Sequence, residues 1–303
     1  MRVSWHWRVA QLLAGGAVVA FVARAVIRNW EDVRSAELAW DLSPLHLLGG
    51  VLVTWTIFAM LAEAWRRLVA AWGFPLAWWP ASRVWLLSSM AKYVPGKIWA
   101  FAGMAVMAKR LGVPAWASTG SSVLLQILSL GTGALVVSMA GVALLEPAGI
   151  GRLTLLSLAA GSAALTALAV WPPLASRVLA LLAPETASGR LPGAGVLAWG
   201  AAANLVAWLG YGVAFSLFAR GTLPGLDLGL GESIGAFTAA YIAGVLVPLP
   251  GGLGVREGIL VLALRDRTGL AAALALAAVV RLGVTAAEVG ASIPFLARQR
   301  EQR

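Results

Sequence analysis

The chain has 303 residues, of which 60% are apolar and only 12% are charged, and its formal net charge is +10. A soluble domain carries roughly 25% charged residues, so most of this protein's surface is expected to face lipid. The absence of cysteine excludes a disulfide framework, a thiolate nucleophile and a cysteine-ligated metal site. The basic residues stand mostly at the ends of apolar runs, which indicates membrane topology and attraction to anionic lipid rather than nucleic-acid binding.

Six apolar runs are long enough to cross a bilayer, which takes about 20 residues. They cover residues 9–28, 45–65, 117–145, 153–172, 196–219 and 269–297. The first follows basic residues as a secretory signal does, but Arg24 and Arg28 stand where a small-residue cleavage site is expected, so we interpret it as a retained helix. The sequence therefore predicts an all-α polytopic membrane protein, with about six transmembrane helices in a single membrane domain over 1–303.

Two further regions are apolar but interrupted. Region 84–110 breaks at Pro95 and Gly96, and region 232–266 breaks at 248–252, which is rich in proline and glycine. Proline removes a backbone donor and glycine relaxes the backbone, so each flanking piece is too short to cross the membrane. Broken backbone at membrane depth is tolerated only where protein or a watery cavity surrounds it. Both regions are therefore predicted to be re-entrant helical hairpins inside the bundle.

A weak internal repeat relates the two hairpins. It is found by aligning Pro95 and Gly96 with Pro250 and Gly251. The spans that then coincide are 45–65 with 200–220 and 117–145 with 272–300. Each half would hold three crossings and one hairpin, so the halves would be inverted and the hairpins would enter from opposite faces. Paired interrupted segments in an inverted repeat indicate the midplane site of a transporter.

The two halves of this predicted repeat are 1–147 and 148–303. Lys and Arg residues are more numerous in the loops that lie on the same side as the N-terminus. Because such loops remain in the cytoplasm, both termini are predicted to be cytoplasmic in a multi-pass protein of the inner (cytoplasmic) membrane.

The first hairpin carries two lysines beside its break. A charge at the bilayer centre costs about 2.5–3.5 kcal/mol, so these lysines need a partner or water. The alternative is a shallow hairpin whose lysines extend to the cytoplasmic surface. The candidate substrate-binding residues here are Lys92, Tyr93, Pro95, Gly96 and Lys97.

The second hairpin combines glycines with adjacent charges. Its glycines allow a turn followed by a helix start, where free amides attract anions. Arg256 adds a planar fork suited to phosphate or carboxylate, and Glu257 is a possible charge partner for it. The alternative is a surface turn at a helix end. The candidate substrate-binding residues here are Pro250, Gly251, Gly252, Gly254, Arg256 and Glu257.

Isolated polar residues also lie within the spans. Arg281 and Glu288 are two turns apart on one face of the last span, and both are candidate binding residues. A buried Arg281 needs an anionic partner, and Glu288 is a candidate for that role. Glu63 is expected to pair with the two arginines that follow it. Gln126 and Asn204 are expected to hydrogen-bond between helices.

Catalytic patterns are scarce in this sequence. The histidines are His6 and His46, both near span ends, so neither a His-rich metal cluster nor a Ser-His-Asp set is predicted. The glycines of 251–254 are not a nucleotide-binding loop, because neither the following Lys nor a βαβ context is present. The sequence therefore predicts no catalytic residue, no cofactor and no metal, and the protein is not expected to be an enzyme.

Three segments, 92–99, 109–112 and 250–258, resemble the lysylphosphatidylglycerol synthase transmembrane (flippase-like) family in order and spacing. The Pro-Gly-Gly-x-Gly-x-Arg-Glu block is the most specific part of the resemblance. Members with two parts pair this membrane region with a soluble aminoacyl transferase domain. Because the chain ends soon after its last span, the resemblance implies a stand-alone flippase-like unit that translocates lipid.

The leading hypothesis is a transporter of an anionic or phosphate-bearing lipid, a class that includes aminoacylated lipids. Lys92, Lys97, Arg256 and Arg281 would bind the headgroup phosphate, while Glu257 and Glu288 would orient these cations or hold an amino group. One alternative is a membrane enzyme that modifies a lipid headgroup, with a glutamate as general base. Another is translocation of a polyprenyl-phosphate glycolipid, or partnership with an envelope glycosyltransferase. The predicted partners are thus a phospholipid or a polyprenyl-phosphate lipid, with a homo-oligomer possible.

Overall fold

A computed structural model describes residues 41–93, 98–145, 152–171, 192–226, 228–247 and 250–297, together with Pro173 and Arg177. This part of the chain holds nine α-helices and no strand. In chain order they are α1 (Pro44–Ala71), α2 (Trp78–Ser89), α3 (Ile98–Lys109), α4 (Ala115–Leu145), α5 (Arg152–Val170), α6 (Ala194–Arg220), α7 (Leu230–Leu246), α8 (Val255–Thr268) and α9 (Leu270–Ala297). Two short 3-10 segments accompany them. The first break, Met90–Tyr93, follows α2, and the second break, Pro250–Gly252, precedes α8.

Within the described residues, four helices are long and apolar enough to cross a membrane. They are Pro44–Ala71, Ala115–Ala140, Ala194–Arg220 and Leu270–Leu296, which confirms four of the predicted spans. The predicted span 153–172 forms α5, which has 19 residues and closely follows the predicted bounds. The predicted span 9–28 lies outside the described residues. The protein is an all-α polytopic membrane protein.

Each interrupted region forms two short helices that pack on each other. Helix α2 contacts α3, and α7 contacts α8, as expected for two helical hairpins. Helix α2 begins at Trp78, earlier than the predicted 84, because Pro80 is well accommodated in the first turn of a helix. The first break also contacts the second break. The two interruptions therefore meet inside the bundle, while their entry from opposite faces stays a prediction.

Helix α6 is the centre of the bundle. More than half of its apolar window (56%) is buried, against 28% to 33% in the other three spans. It packs on α1, α4, α7 and α9. Its crossing with α7 is close, because a Cβ at Gly212 would lie 2.5 Å from Ile234 Cα. Small residues at helix crossings are the usual means of tight packing in a membrane, and here they hold α7 against the core.

Helix α9 separates lipid from the protein interior. Leu282, Val289 and Ile293 are exposed at helical spacing on its outer face. Glu288 on the same helix is almost completely buried. An exposed apolar stripe is expected where a helix faces lipid, whereas a buried carboxylate needs a partner. Helix α9 is thus oriented with its charged positions toward the two breaks.

Candidate functional site

A cavity of about 40 Å³ lies where the two hairpins meet α9. Aromatic rings and charged groups line it together, and we refer to it as the cation cavity. Its main lining residues are Phe58 of α1, Lys92 of the first break, Tyr211 of α6, Phe237 and Tyr241 of α7, Arg256 and Glu257 of α8, and Arg281 of α9. Four of these, Lys92, Arg256, Glu257 and Arg281, were expected from the sequence as binding residues.

The second break is shaped by glycine. Gly251, Gly252 and Gly254 have φ values of 56°, 66° and 77°, a left-handed conformation that residues with a Cβ rarely adopt. The backbone N–H of Gly254 donates to Glu257 Oε2 at 2.7 Å, which caps the start of α8. This local geometry places Arg256 and Glu257 in the first turn of α8, directly after the break.

Arg256 is held by packing and by an aromatic face. Its guanidinium carbon lies 3.7 Å from the centre of the Tyr241 ring, a close cation–π contact. Its side chain also passes over Gly244, where a Cβ would lie 2.6 Å from Arg256 Cγ. Arg256 Nε is buried without a hydrogen-bond partner among the described residues. Across the same residues, the ion pairs do not include Arg256.

Arg281 connects α9 to the second break. Its Nη1 donates to the carbonyl of Gly251 at 3.0 Å and lies 3.6 Å from Glu257 Oε1. Glu257 therefore serves both as the cap of α8 and as the charge partner of Arg281. We expected Arg256 as the partner of Glu257, and this was wrong because adjacent residues of a helix point in different directions.

Lys92 connects the first break to the same helix. Its Nζ donates to Glu288 Oε1 at 2.7 Å, and the Ser89 hydroxyl donates to the same oxygen at 3.1 Å. The Glu288 side chain is only 1% exposed. Lys92 therefore has a charge partner, while the depth of the first hairpin in the membrane stays a prediction. Pairing of Glu288 with Arg281 is wrong, because two helical turns separate their backbones by about 10 Å.

The charges around the cation cavity do not balance. Lys92, Arg256 and Arg281 supply three positive charges. Glu257 and the adjoining Glu288 supply two negative charges, each within an ion pair. One positive charge is left without a carboxylate among the described residues, and by its contacts it belongs to Arg256. A cation in a largely apolar bundle is costly, so the cavity favours an anion.

The remaining predicted residues are placed as follows. Tyr93 ends the first break and Pro250 begins the second. Pro95, Gly96 and Lys97 lie outside the described residues. Glu63 forms the expected local pair: its carboxylate accepts from Arg66 Nε at 2.7 Å and from Arg67 Nε at 2.8 Å. That cluster lies near the end of α1 and does not line the cation cavity.

Aromatic residues that were not predicted from the sequence form one wall of the site. The rings of Tyr211 and Phe237 stack with centroids 5.1 Å apart, and those of Tyr211 and Tyr241 with centroids 6.1 Å apart. A signal was present, because the chain has only three tyrosines and two of them line this cavity. Phe237 and Tyr241 are also one helical turn apart, just before the second break.

An apolar groove of about 220 Å³ lies next to the cation cavity, between α1, α2 and α9. Phe58 lines both spaces. The groove is otherwise formed largely by apolar side chains, including Trp55, Trp78, Trp79 and Phe295. Trp55, Trp78 and Trp79 are themselves exposed on the outer surface of the bundle. The groove therefore leads from the charged site toward the lipid.

One comparison with known proteins gives a match. The family model described as "Lysylphosphatidylglycerol synthase TM region" matches residues 8–286, which is most of the chain. The matched range includes Arg256, Glu257 and Arg281 and ends just before Glu288. No curated protein matches this chain.

Proposed function

This chain belongs to the lysylphosphatidylglycerol synthase TM region family, and from that premise we propose that it moves an anionic, phosphate-bearing lipid across the cytoplasmic membrane. In this proposal both termini are cytoplasmic and the two hairpins enter from opposite faces. The cation cavity would bind the headgroup where the two breaks meet.

The observation that carries the proposal is Arg256. Its guanidinium lies on the wall of a cavity inside the bundle, with Nε buried and unpartnered in the part of the chain that the structure describes. A guanidinium presents a planar set of donors that matches phosphate. A phosphodiester carries one negative charge, which would balance the single excess positive charge of the site. The proposed ligand group is therefore a phosphodiester.

The two ion pairs of α9 would hold the site together and adjust to the ligand. Lys92 with Glu288 fixes the first break, and Arg281 with Glu257 fixes the second. An arriving phosphate would accept from Arg256 first and share the donors of Lys92 and Arg281. Because both breaks are tied to one helix, a movement of α9 would shift both sides of the cavity together.

The lipid tails would remain outside the charged site. The apolar groove adjoins the cation cavity at Phe58 and is rimmed by exposed tryptophans. Tryptophan is favoured at membrane interfaces. A hydrocarbon chain can enter an apolar groove without leaving any polar group unpaired. A lipid could then place its headgroup in the cavity while its tails stay in the groove and the surrounding bilayer.

We propose transport without covalent change of the lipid. Glu257 and Glu288 are the two candidate general bases, and each is engaged by a cation at the site. Glu257 also caps α8 and Glu288 also accepts from Ser89, so both carboxylates are already occupied by protein donors and the arrangement favours binding over proton abstraction. Mass spectrometry of the lipids before and after incubation with the protein would test this, and a new covalent product would contradict it.

The test of transport is leaflet exchange in vesicles. The purified full-length protein is reconstituted with a trace of fluorescent phosphatidylglycerol, and a membrane-impermeant reductant quenches the outer leaflet. We expect quenching to exceed the half that protein-free vesicles show. If neither an anionic phospholipid nor a polyprenyl-phosphate lipid exchanges faster than in protein-free vesicles, the proposal is wrong.

A further inference from the structure

A second cavity, of about 190 Å³, lies on the other side of Tyr241. It is enclosed by the first hairpin together with α1, α4, α6 and α7, and we refer to it as the polar cavity. Tyr241 lines both the polar cavity and the cation cavity. The polar side chains that line it, besides Tyr241, are Ser88, Ser89, Ser122, Gln126, Ser129 and Asn204. Its described lining includes neither a carboxylate nor a basic side chain.

Three of these polar residues form a stripe on one helix. Ser122, Gln126 and Ser129 follow each other at spacings of four and three residues, so they share one face of α4. Asn204 of α6 lines the same cavity. The stripe stands on a helix that is otherwise long and apolar enough to span the membrane. Because the stripe lines the polar cavity, we expect that cavity to hold a polar group.

The hydrogen bonds of these groups are incomplete. Asn204 Nδ2 donates to the carbonyl of Gly200 at 2.8 Å, and its Oδ1 accepts no hydrogen bond among the described residues. Over that same part of the chain, the amide of Gln126 and the hydroxyl of Ser129 make no hydrogen bond. The expected bond between helices from Gln126 or Asn204 does not form there. These side chains border the polar cavity, so their free donors and acceptors are available to a ligand or water held there.

The side chains that line the polar cavity suit a ligand with neutral hydroxyl groups. Amides and hydroxyls both donate and accept, as the hydroxyls of a glycerol or a sugar do. An amino headgroup would instead require a carboxylate, and the described lining has none. A single water needs roughly 10–15 Å³ of such a cavity, so about 190 Å³ leaves room for a small polyol.

The polar cavity is also connected to the phosphate site by shared contacts. Ser89 lines the polar cavity, and its hydroxyl donates to the same Glu288 oxygen as Lys92 does. Lys92 in turn lines the cation cavity. A headgroup that places its phosphate at Arg256 would therefore meet the polar stripe on the other side of Tyr241, which lines both cavities.

We infer that the polar cavity binds the neutral polyhydroxyl part of the transported lipid's headgroup, a glycerol or a sugar, beyond the phosphate. This inference rests on the proposed function, because it assigns the neighbouring cation cavity to that phosphate. It makes the substrate a phosphodiester of a neutral polyol rather than an aminoacylated, cationic lipid.

The experiment compares two lipids in the same vesicles. Phosphatidylglycerol and phosphatidylmethanol carry matched chains and one negative charge, but phosphatidylmethanol has no hydroxyl group. We expect leaflet exchange of phosphatidylglycerol to be about tenfold faster, the ratio that one or two net hydrogen bonds supply. Gln126→Leu and Asn204→Leu should each lower this ratio toward one. The control Ser138→Ala, on the same helix but outside the described lining, should leave both rates unchanged.

The outcomes separate the two proposals. If the wild-type protein exchanges neither of these two lipids nor a polyprenyl-phosphate lipid, the proposed function is wrong. If it exchanges both at equal rates, transport stands and the polyol inference is wrong, whether or not the variants fold. Faster exchange of lysyl-phosphatidylglycerol than of phosphatidylglycerol would also overturn the inference. A second pair of lipids, a polyprenyl phosphosugar and a polyprenyl methyl phosphate, distinguishes a sugar headgroup from a glycerol headgroup. Whichever pair gives the larger ratio of exchange rates, with polyol over without, identifies the preferred polyol.

Discussion

The replacement Arg256→Gln separates a binding role of Arg256 from a structural one. A hydrogen bond to a charged group contributes about 1.5–3 kcal/mol, so loss of the guanidinium should weaken phosphate binding by roughly 10-fold to 150-fold. The effect on folding should be different. The variant loses a cation–π contact worth about 2 kcal/mol, and it also removes a cation that has no carboxylate partner among the described residues. Because an unpaired charge inside a membrane protein costs at least as much, thermal stability should hold or rise.

The assay follows leaflet exchange of phosphatidylglycerol at increasing lipid fraction, alongside the Tm in detergent. We expect Arg256→Gln to need a higher lipid fraction for half-maximal exchange, with an unchanged or higher Tm. Arg256→Lys should be intermediate, since it keeps the charge and loses the planar fork. Arg220→Gln, an exposed arginine at the end of α6, is the matched control. Normal exchange by Arg256→Gln, or a loss that parallels a fall in Tm, would refute the reasoning.

Two further predictions concern the surroundings of Arg256 and the pair on α9. Gly244→Ala should reduce exchange without changing any charge. The added Cβ would lie 2.6 Å from Arg256 Cγ and must displace it by about 1 Å to reach ordinary contact. The control Gly161→Ala, where nothing lies within 4 Å of the added Cβ, should behave as wild type. Lys92→Met should destabilise the protein by about 3–5 kcal/mol because it leaves Glu288 buried without its cation, and Glu288→Leu should restore most of that stability when added. Equal exchange by the two alanine variants, or additive losses of stability in the double variant, would contradict these expectations.

The elements that the sequence predicted well are those set by local chemistry. Runs of apolar residues located four spans, and the proline and glycines of the second interrupted region located its break, whereas Pro95 and Gly96 of the first lie outside the described residues. The positive φ values of Gly251 and Gly252 explain why the second break stands where it does. Helix α5, Arg152–Val170, likewise follows the apolar run predicted at 153–172.

The pairings within the site depend on contacts between distant parts of the chain. Lys92 and Glu288 are almost 200 residues apart, and only the packing of the first break on α9 brings them together. Likewise, the sequence suggested that Arg256 pairs with Glu257. Only the structure shows that Glu257 caps α8 and pairs with Arg281. Of the polar stripe, Gln126 alone was identified from the sequence, because the cavity that gives Ser122 and Ser129 their significance forms only when the helices pack.

The most direct test of the central claim is an experimental structure of the protein in lipid nanodiscs containing phosphatidylglycerol. We expect a lipid phosphate within hydrogen-bonding distance of the Arg256 guanidinium, with the tails in the apolar groove beside Phe58. An Arg256 guanidinium paired with a carboxylate of the protein, and no phosphate in the cation cavity, would contradict the account.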